Sequence, residues 1–202
     1  VLNYYKPKIE ASTITDSLKL TADSYFLVST HREENVDNPG NLLKIITVLN
    51  RLCEIYNMPV VVSTHPRTRK RLENVKDLEI NPLIRFLKPF GFLDYNNLQM
   101  KAKCTLSDSG TISEESSILG FPAISLRQSM ERPEAQDAGT IILTGFDPEI
   151  VLASIDTAIR EHEQNVPKQI CPDYQVPDTS WRVLKLIQGL ASLSNKWHGI
   201  NQ

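Results

Sequence analysis

The chain has 202 residues, with 22 lysines and arginines against 24 aspartates and glutamates and a formal charge of −2. That length can bury a substantial core, as one large domain or two small ones. The near balance of charge excludes a bulk pull toward nucleic acid or an anionic membrane, and no apolar run approaches the roughly 20 residues that span a bilayer. The three cysteines, Cys53, Cys104 and Cys171, stand far apart in no metal-ligand spacing, as expected of buried thiols in a reducing cytoplasm.

The chain opens at Val1, without a methionine, in a polar and weakly patterned stretch. Residues 1–24 therefore read as a leader or interdomain segment of a protein cut from something longer. Residues 25–29 form an apolar run suited to a buried parallel strand. After a polar loop, Asn38 caps a helix with Pro39 at its first position, and Leu42, Ile45, Ile46, Leu49 and Leu52 make its apolar face. Residues 59–63 are a second strand, 66–74 a short basic helix and 84–87 a third strand. Asp94 can cap a helix to about Lys101, and 104–107 is a fourth strand. A helix then starts near Thr111, where Thr111 and Glu114 fit a capping box, and Gly120 stops it. Residues 123–126 and 141–143 are further strands, and Asp147 with Pro148 opens a helix reaching about Glu163.

Strands alternating with helices in this way predict an α/β fold with a doubly wound parallel sheet over residues 25–164. Ligands of such sheets bind beyond the carboxyl ends of the strands. The polar loops after residues 29, 63 and 107 should therefore converge on one rim. Residues 165–180 are Pro-rich and irregular, and Trp181 to Leu193 is an apolar-rich helix remote from the sheet pattern. It either covers this domain or packs on a second one.

The candidate functional residues lie on that rim. His31 and Arg32 follow the first strand, where they can meet a phosphate and His31 can move a proton. The alternative is a polar loop whose histidine bonds the backbone. His65 and Arg67 repeat the arrangement after the second strand, whereas Arg69, Lys70 and Arg71 read as a solvated helix face. The composition lacks the basic domain and aromatic platforms of a nucleic-acid site. Phe92 and Tyr95 are aromatic residues at a helix start that can stack on a base or anchor the core. Ser109 and Gly110 fit a phosphate turn, because unpaired N–H groups and the helix dipole favour an anion there. Glu115, one residue beyond the cap, is placed to accept hydrogen bonds from a ribose, and Arg132 precedes a second helix start at Pro133.

Thr30-His31-Arg32 with Glu34 and Asn35, Asp108-Ser109-Gly110 with Glu114 and Glu115, and Glu131-Arg132-Pro133-Glu134 together resemble the non-hydrolysing UDP-N-acetylglucosamine 2-epimerases, over about residues 25–155. The resemblance is to the carboxyl-terminal, Rossmann-like half of a two-domain architecture of glycosyltransferase-B type. It implies an amino-terminal domain elsewhere, against which residues 165–202 would pack, and a homodimer at full length. Thr111 stands where the family commonly has glycine, and Gln128, Ser129 and Met130 replace Asp-Thr-Thr. With residues 90–95, these departures resemble the capsule and O-antigen enzymes that make UDP-N-acetyl-L-fucosamine.

The implied reaction inverts C2 by UDP elimination to a 2-acetamidoglycal and re-addition, with no cofactor and no metal. The implied roles are catalysis for His31, UDP binding for Arg32, His65, Tyr95, Ser109, Gly110, Thr111, Glu115 and Arg132, and an effector or substrate contact for Glu131. The partner implied is a UDP-sugar, in the cytoplasm, with neither nucleic acid nor membrane. Without its other half the chain is expected to be inactive. The competing readings are half of a UDP-sugar glycosyltransferase and a non-catalytic nucleotide-sugar binding module.

Overall fold

The structure, a computed structural model, describes residues 1–32, 37–65, 68, 69, 71, 79–129, 132–167 and 170–199. Its sheet has six parallel strands: β1 (Phe26–Ser29), β2 (Val60–Ser63), β3 (Ile84–Leu87), β4 (Cys104–Ser107), β5 (Ala123–Ser125) and β6 (Ile142–Leu143). They lie in the order β3-β2-β1-β4-β5-β6. This is the doubly wound, Rossmann-like arrangement expected from the alternation of elements.

Both sheet faces are covered, which is why the strands read as continuous apolar runs rather than alternating ones. On one face Phe26, Val28, Val60, Val62, Leu106 and Ile124 pack against α3 (Pro39–Tyr56) and α7 (Pro148–Glu163) through Leu49, Leu52, Val151 and Ile155. On the other, Tyr25, Leu27 and Val61 meet Leu98 and Ala102 at α4 (Phe92–Lys101). The helix starts follow their predicted chemistry in α3 and α7. The Asn38 side chain accepts from the N–H groups of Gly40 and Asn41, and Asp147 accepts from Glu149 and Ile150. Gly120 ends α5 (Ile112–Leu119) with φ +79°, the left-handed region open to glycine.

Three local expectations are corrected. Helix α4 begins at Phe92 behind Gly91, two residues before Asp94, and the Asp94 carboxylate instead accepts from Ser12 Oγ at 2.6 Å. The capping box at α5 does not form. Thr111 is helical (φ −72°, ψ −14°) and makes no side-chain cap, while Glu114 pairs with Arg132. Residues 1–24 carry two helices, α1 (Leu2–Glu10) and α2 (Ile14–Ser17), where the sequence reading placed none. Ile9 is fully buried, and its carbonyl accepts from Asn97 Nδ2 at 2.7 Å, tying α1 to α4. The expected basic helix at 66–74 falls largely outside the described residues.

Residues 1–171 form one compact unit. A second unit, 172–202, contains a 3₁₀ turn (Pro172–Gln175) and α8 (Thr179–Trp197). Among the described residues no helix is long and apolar enough to cross a membrane.

Candidate functional site

Strand order reverses between β1 and β4, so the chain leaves these two neighbours toward opposite faces and a crevice opens beyond their carboxyl ends. A row of serines marks the change from apolar strand to polar rim. Ser63, Ser29, Ser107 and Ser125 stand in register across β2, β1, β4 and β5.

The residue after that row on β4 is Asp108, fully buried. Its Oδ2 accepts the backbone N–H of His31 and of Arg32, each at 3.0 Å, and its Oδ1 lies 3.2 Å from His31 Nδ1. Arg32 Nε returns to the Asp108 carbonyl at 2.9 Å. Two loops 77 residues apart are thus closed on one carboxylate. The His31 pKa is raised above its ordinary value, first by the hydrogen bond to Asp108 and then by its charge, against burial and the Arg32 cation. Because Nδ1 is engaged by Asp108, Nε2 is the nitrogen able to exchange a proton with a ligand.

The turn into α5 is built from its own hydroxyls. Ser107 Oγ accepts from Ser109 N at 3.1 Å, and the Ser109 and Thr111 hydroxyls meet at 3.0 Å. Ser109 and Gly110 are half-buried and Thr111 is exposed. The amino-terminal end of α5, with its positive dipole end, therefore faces the same crevice as His31 and Arg32.

The other expected residues sit around this centre. Glu115, in the first turn of α5, has its Oε2 2.7 Å from Gln99 Nε2. Tyr95 packs its ring on the α4-side core, and its hydroxyl meets Ser29 and Ser107. Burial raises its pKa well above the usual phenol value, aided by Glu115 and Asp108 and opposed by the two serines, so it stays protonated at physiological pH. Arg132 takes the N-cap position of α6 (Pro133–Asp137) and pairs with Glu114, linking the helices that follow β4 and β5. His65 is exposed just past β2. Thr68 Oγ1 bonds the Thr30 carbonyl at 3.0 Å, holding the β2 loop against the β1 loop. Glu131, Met130, Arg67 and residues 33–36 lie outside the described residues.

Two residues escaped the sequence reading. Asp108 was part of a motif without a role of its own, although a lone carboxylate immediately after a buried strand is a recognisable signal. Gln99 carried no signal, since it reads as a helix-surface amide, yet it is fully buried.

A doubly wound sheet with hydrogen-bond donors, a helix amino terminus and an anchored His-Arg pair at its switch point defines a Rossmann-like domain with an anion-ready crevice. The chain belongs to the UDP-N-acetylglucosamine 2-epimerase family, whose sequence model matches residues 1–188. It is 39% identical over 142 residues to the UDP-N-acetylglucosamine 2-epimerase of Methanocaldococcus jannaschii, covering 69% of this chain and 39% of that protein. Its structure is similar to that of the Rickettsia bellii UDP-N-acetylglucosamine 2-epimerase, with TM-score 0.83 and 44% identity over 96% of this chain and 52% of that one. The Methanocaldococcus jannaschii enzyme in complex with UDP-GlcNAc and UDP matches with TM-score 0.73 and 30% identity, over 90% of this chain and 50% of that one. The chain thus spans about two fifths of the curated relative and about half of the solved chains.

Proposed function

We propose that this chain is the UDP-binding half of a UDP-N-acetylhexosamine 2-epimerase. The observation that carries the reading is the buried Asp108 carboxylate holding His31 and Arg32 beside the amino terminus of α5. Donors collected at one point, in a crevice with low-dielectric walls, suit the diphosphate on which charge grows as the C1–O bond breaks. In the proposed elimination a proton leaves C2, the C1–O pair departs with UDP, and a 2-acetamidoglycal remains. Reprotonation of C2 from the opposite face and return of UDP to C1 complete the inversion.

In this scheme Arg32, Ser109, Gly110, Thr111 and His65 receive the diphosphate. Glu115 receives the ribose, Tyr95 lines the nucleotide side, and Arg132, paired with Glu114 at the α5–α6 corner, completes the UDP seat. His31 supplies the proton to departing diphosphate oxygen and recovers it on return. Glu131 is assigned to the sugar or an effector. The part of the relatives' length that this chain does not span would contribute the groups acting at C2, in a full-length homodimer of the cytoplasm. Thr111 and the run Gln128-Ser129-Met130 favour UDP-N-acetyl-L-fucosamine as product, for capsule or O-antigen synthesis. Interconversion of UDP-GlcNAc and UDP-ManNAc is the other form of the same chemistry.

Titration calorimetry tests the reading. The 202-residue chain should bind UDP in the micromolar to millimolar range without epimerising a UDP-sugar. No heat with millimolar UDP, or turnover by the chain alone, would overturn it.

Helix α8 belongs to the same proposal. Leu186, Ile187 and Trp197 are each more than half exposed and, with Val183 and Leu190, fall along one side of the helix, a larger apolar stripe than a solvated helix ordinarily shows. Its proposed seat is the half of the enzyme that this chain does not span. The chain alone should then self-associate with rising concentration in analytical ultracentrifugation. A monodisperse monomer at millimolar concentration would count against that seat.

A further inference from the structure

Three polar side chains, Asn96, Asn97 and Gln99, are buried on α4, a helix whose inner face would ordinarily be apolar. Two have local explanations. Asn96 Nδ2 donates to the Phe92 carbonyl within the helix, and Asn97 Nδ2 donates to Ile9 and fastens α1. Gln99 serves neither purpose. Its single hydrogen bond among the described residues runs from Nε2 to Glu115 Oε2 at 2.7 Å. Its buried Oε1 has no partner there, as Asn96 Oδ1 and Asn97 Oδ1 have none, so what sets Gln99 apart is the side chain that its amide reaches.

An unsatisfied buried carbonyl is unfavourable, and leucine or methionine would fill the same volume without one. Packing therefore does not call for glutamine at this position. Nor does the charge of Glu115, because that residue is only part-buried. What the amide changes is direction. The reversed amide would set its oxygen against a carboxylate oxygen at hydrogen-bond distance, so the orientation is fixed by chemistry. Held from the core side through Oε2, the Glu115 carboxylate is restrained, which leaves Oε1 as the oxygen to which a ligand's neighbouring hydroxyls would donate.

We infer that Gln99 is a positioning residue for nucleotide recognition: it locks the Glu115 carboxylate so that the ligand's vicinal ribose hydroxyls are read by a preorganised acceptor. The inference rests on the UDP-binding reading and goes beyond it, since it explains discrimination at the sugar of the nucleotide rather than at the diphosphate. A preorganised acceptor gains affinity by removing the cost of ordering it at binding.

The test compares UDP with 2′,3′-dideoxy-UDP by calorimetry, on the wild-type chain and on Gln99→Met, whose unbranched side chain has nearly the same shape. Gln99→Met should weaken UDP roughly tenfold, the loss of about one charge-assisted hydrogen bond's alignment, and dideoxy-UDP less than twofold. In a Glu115→Ala background the same substitution should leave UDP affinity unchanged. Gln99→Asn, which keeps an amide but cannot reach Glu115, should behave as Gln99→Met does and guards against a folding defect in the latter. Equal weakening of both nucleotides in both variants, or a full Gln99→Met effect without Glu115, marks a packing role and overturns the inference. If the wild-type chain binds neither nucleotide, the UDP reading itself fails and this one with it.

Discussion

Asp108→Ala is expected to lower unfolding stability by about 3 kcal/mol, the largest loss of any single substitution at the crevice. The carboxylate is fully buried and takes two backbone N–H groups and one imidazole nitrogen. Hydrogen bonds to a charged group contribute about 1.5–3 kcal/mol each, and donors left unpaired inside the protein cost about 1–3 kcal/mol. Simple addition overshoots, because His31 is half-exposed and water can reach part of the vacated space. The Asp108 backbone contacts to Ser29 and Arg32 survive truncation as well. A domain of this kind has only about 5–15 kcal/mol in total, so the loss is visible in urea as a midpoint lowered by roughly 1–2 M. Asp108→Asn should cost roughly half as much, since one oxygen can still accept from the two backbone groups. An Asp108→Ala midpoint within about 0.2 M of wild type would remove Asp108 as the anchor of the crevice.

The same residue shows where reading the sequence reaches its limit. Elements announced by local chemistry were legible: Asn38 and Asp147 as caps, Pro39 and Pro148 as first helical residues, Gly120 as a stop, and β1 to β4 as apolar runs. These depend on neighbours a few residues away, and the chain states them directly. Asp108 depends on the strand order, which alone brings the ends of β1 and β4 side by side. Helix α1 was illegible for a related reason. It buries a single residue fully, Ile9, contains Pro7, and is held partly by an amide from α4, so no amphipathic period announces it. The failed capping box follows the same logic. Thr111 and Glu114 have the right spacing, but Ser109 and Arg132 offer better partners that only the fold supplies. The candidate site was thus read residue by residue as a set on one rim, whereas its internal wiring was not.

That wiring leads to the second large effect. In an enzyme carrying both halves, His31→Gln should lower kcat about 10²–10⁴-fold, the usual range for a lost general acid–base group. Its pH dependence follows from the sign of the His31 shift. Asp108 raises the folded pKa above the ordinary value of about 6.5, so the imidazolium persists to higher pH than in the unfolded chain. Its stabilising pair with Asp108 is fully present below that ordinary value and is lost as pH rises through the raised one. A protonated His31 also favours the diphosphate, so UDP affinity of the chain should fall over the same interval. Titration of the nucleotide's own terminal phosphate, near pH 6, complicates the acidic side. The His31→Gln chain carries that contribution alone, and subtracting its profile isolates the histidine. Asp108→Asn removes the raising partner while Arg32 and burial continue to lower the pKa, so the alkaline limb of binding and of kcat/KM should move to lower pH. If that limb is unmoved in Asp108→Asn, or if His31→Gln retains wild-type kcat, His31 is a binding residue of the diphosphate seat and its proton plays no part in catalysis.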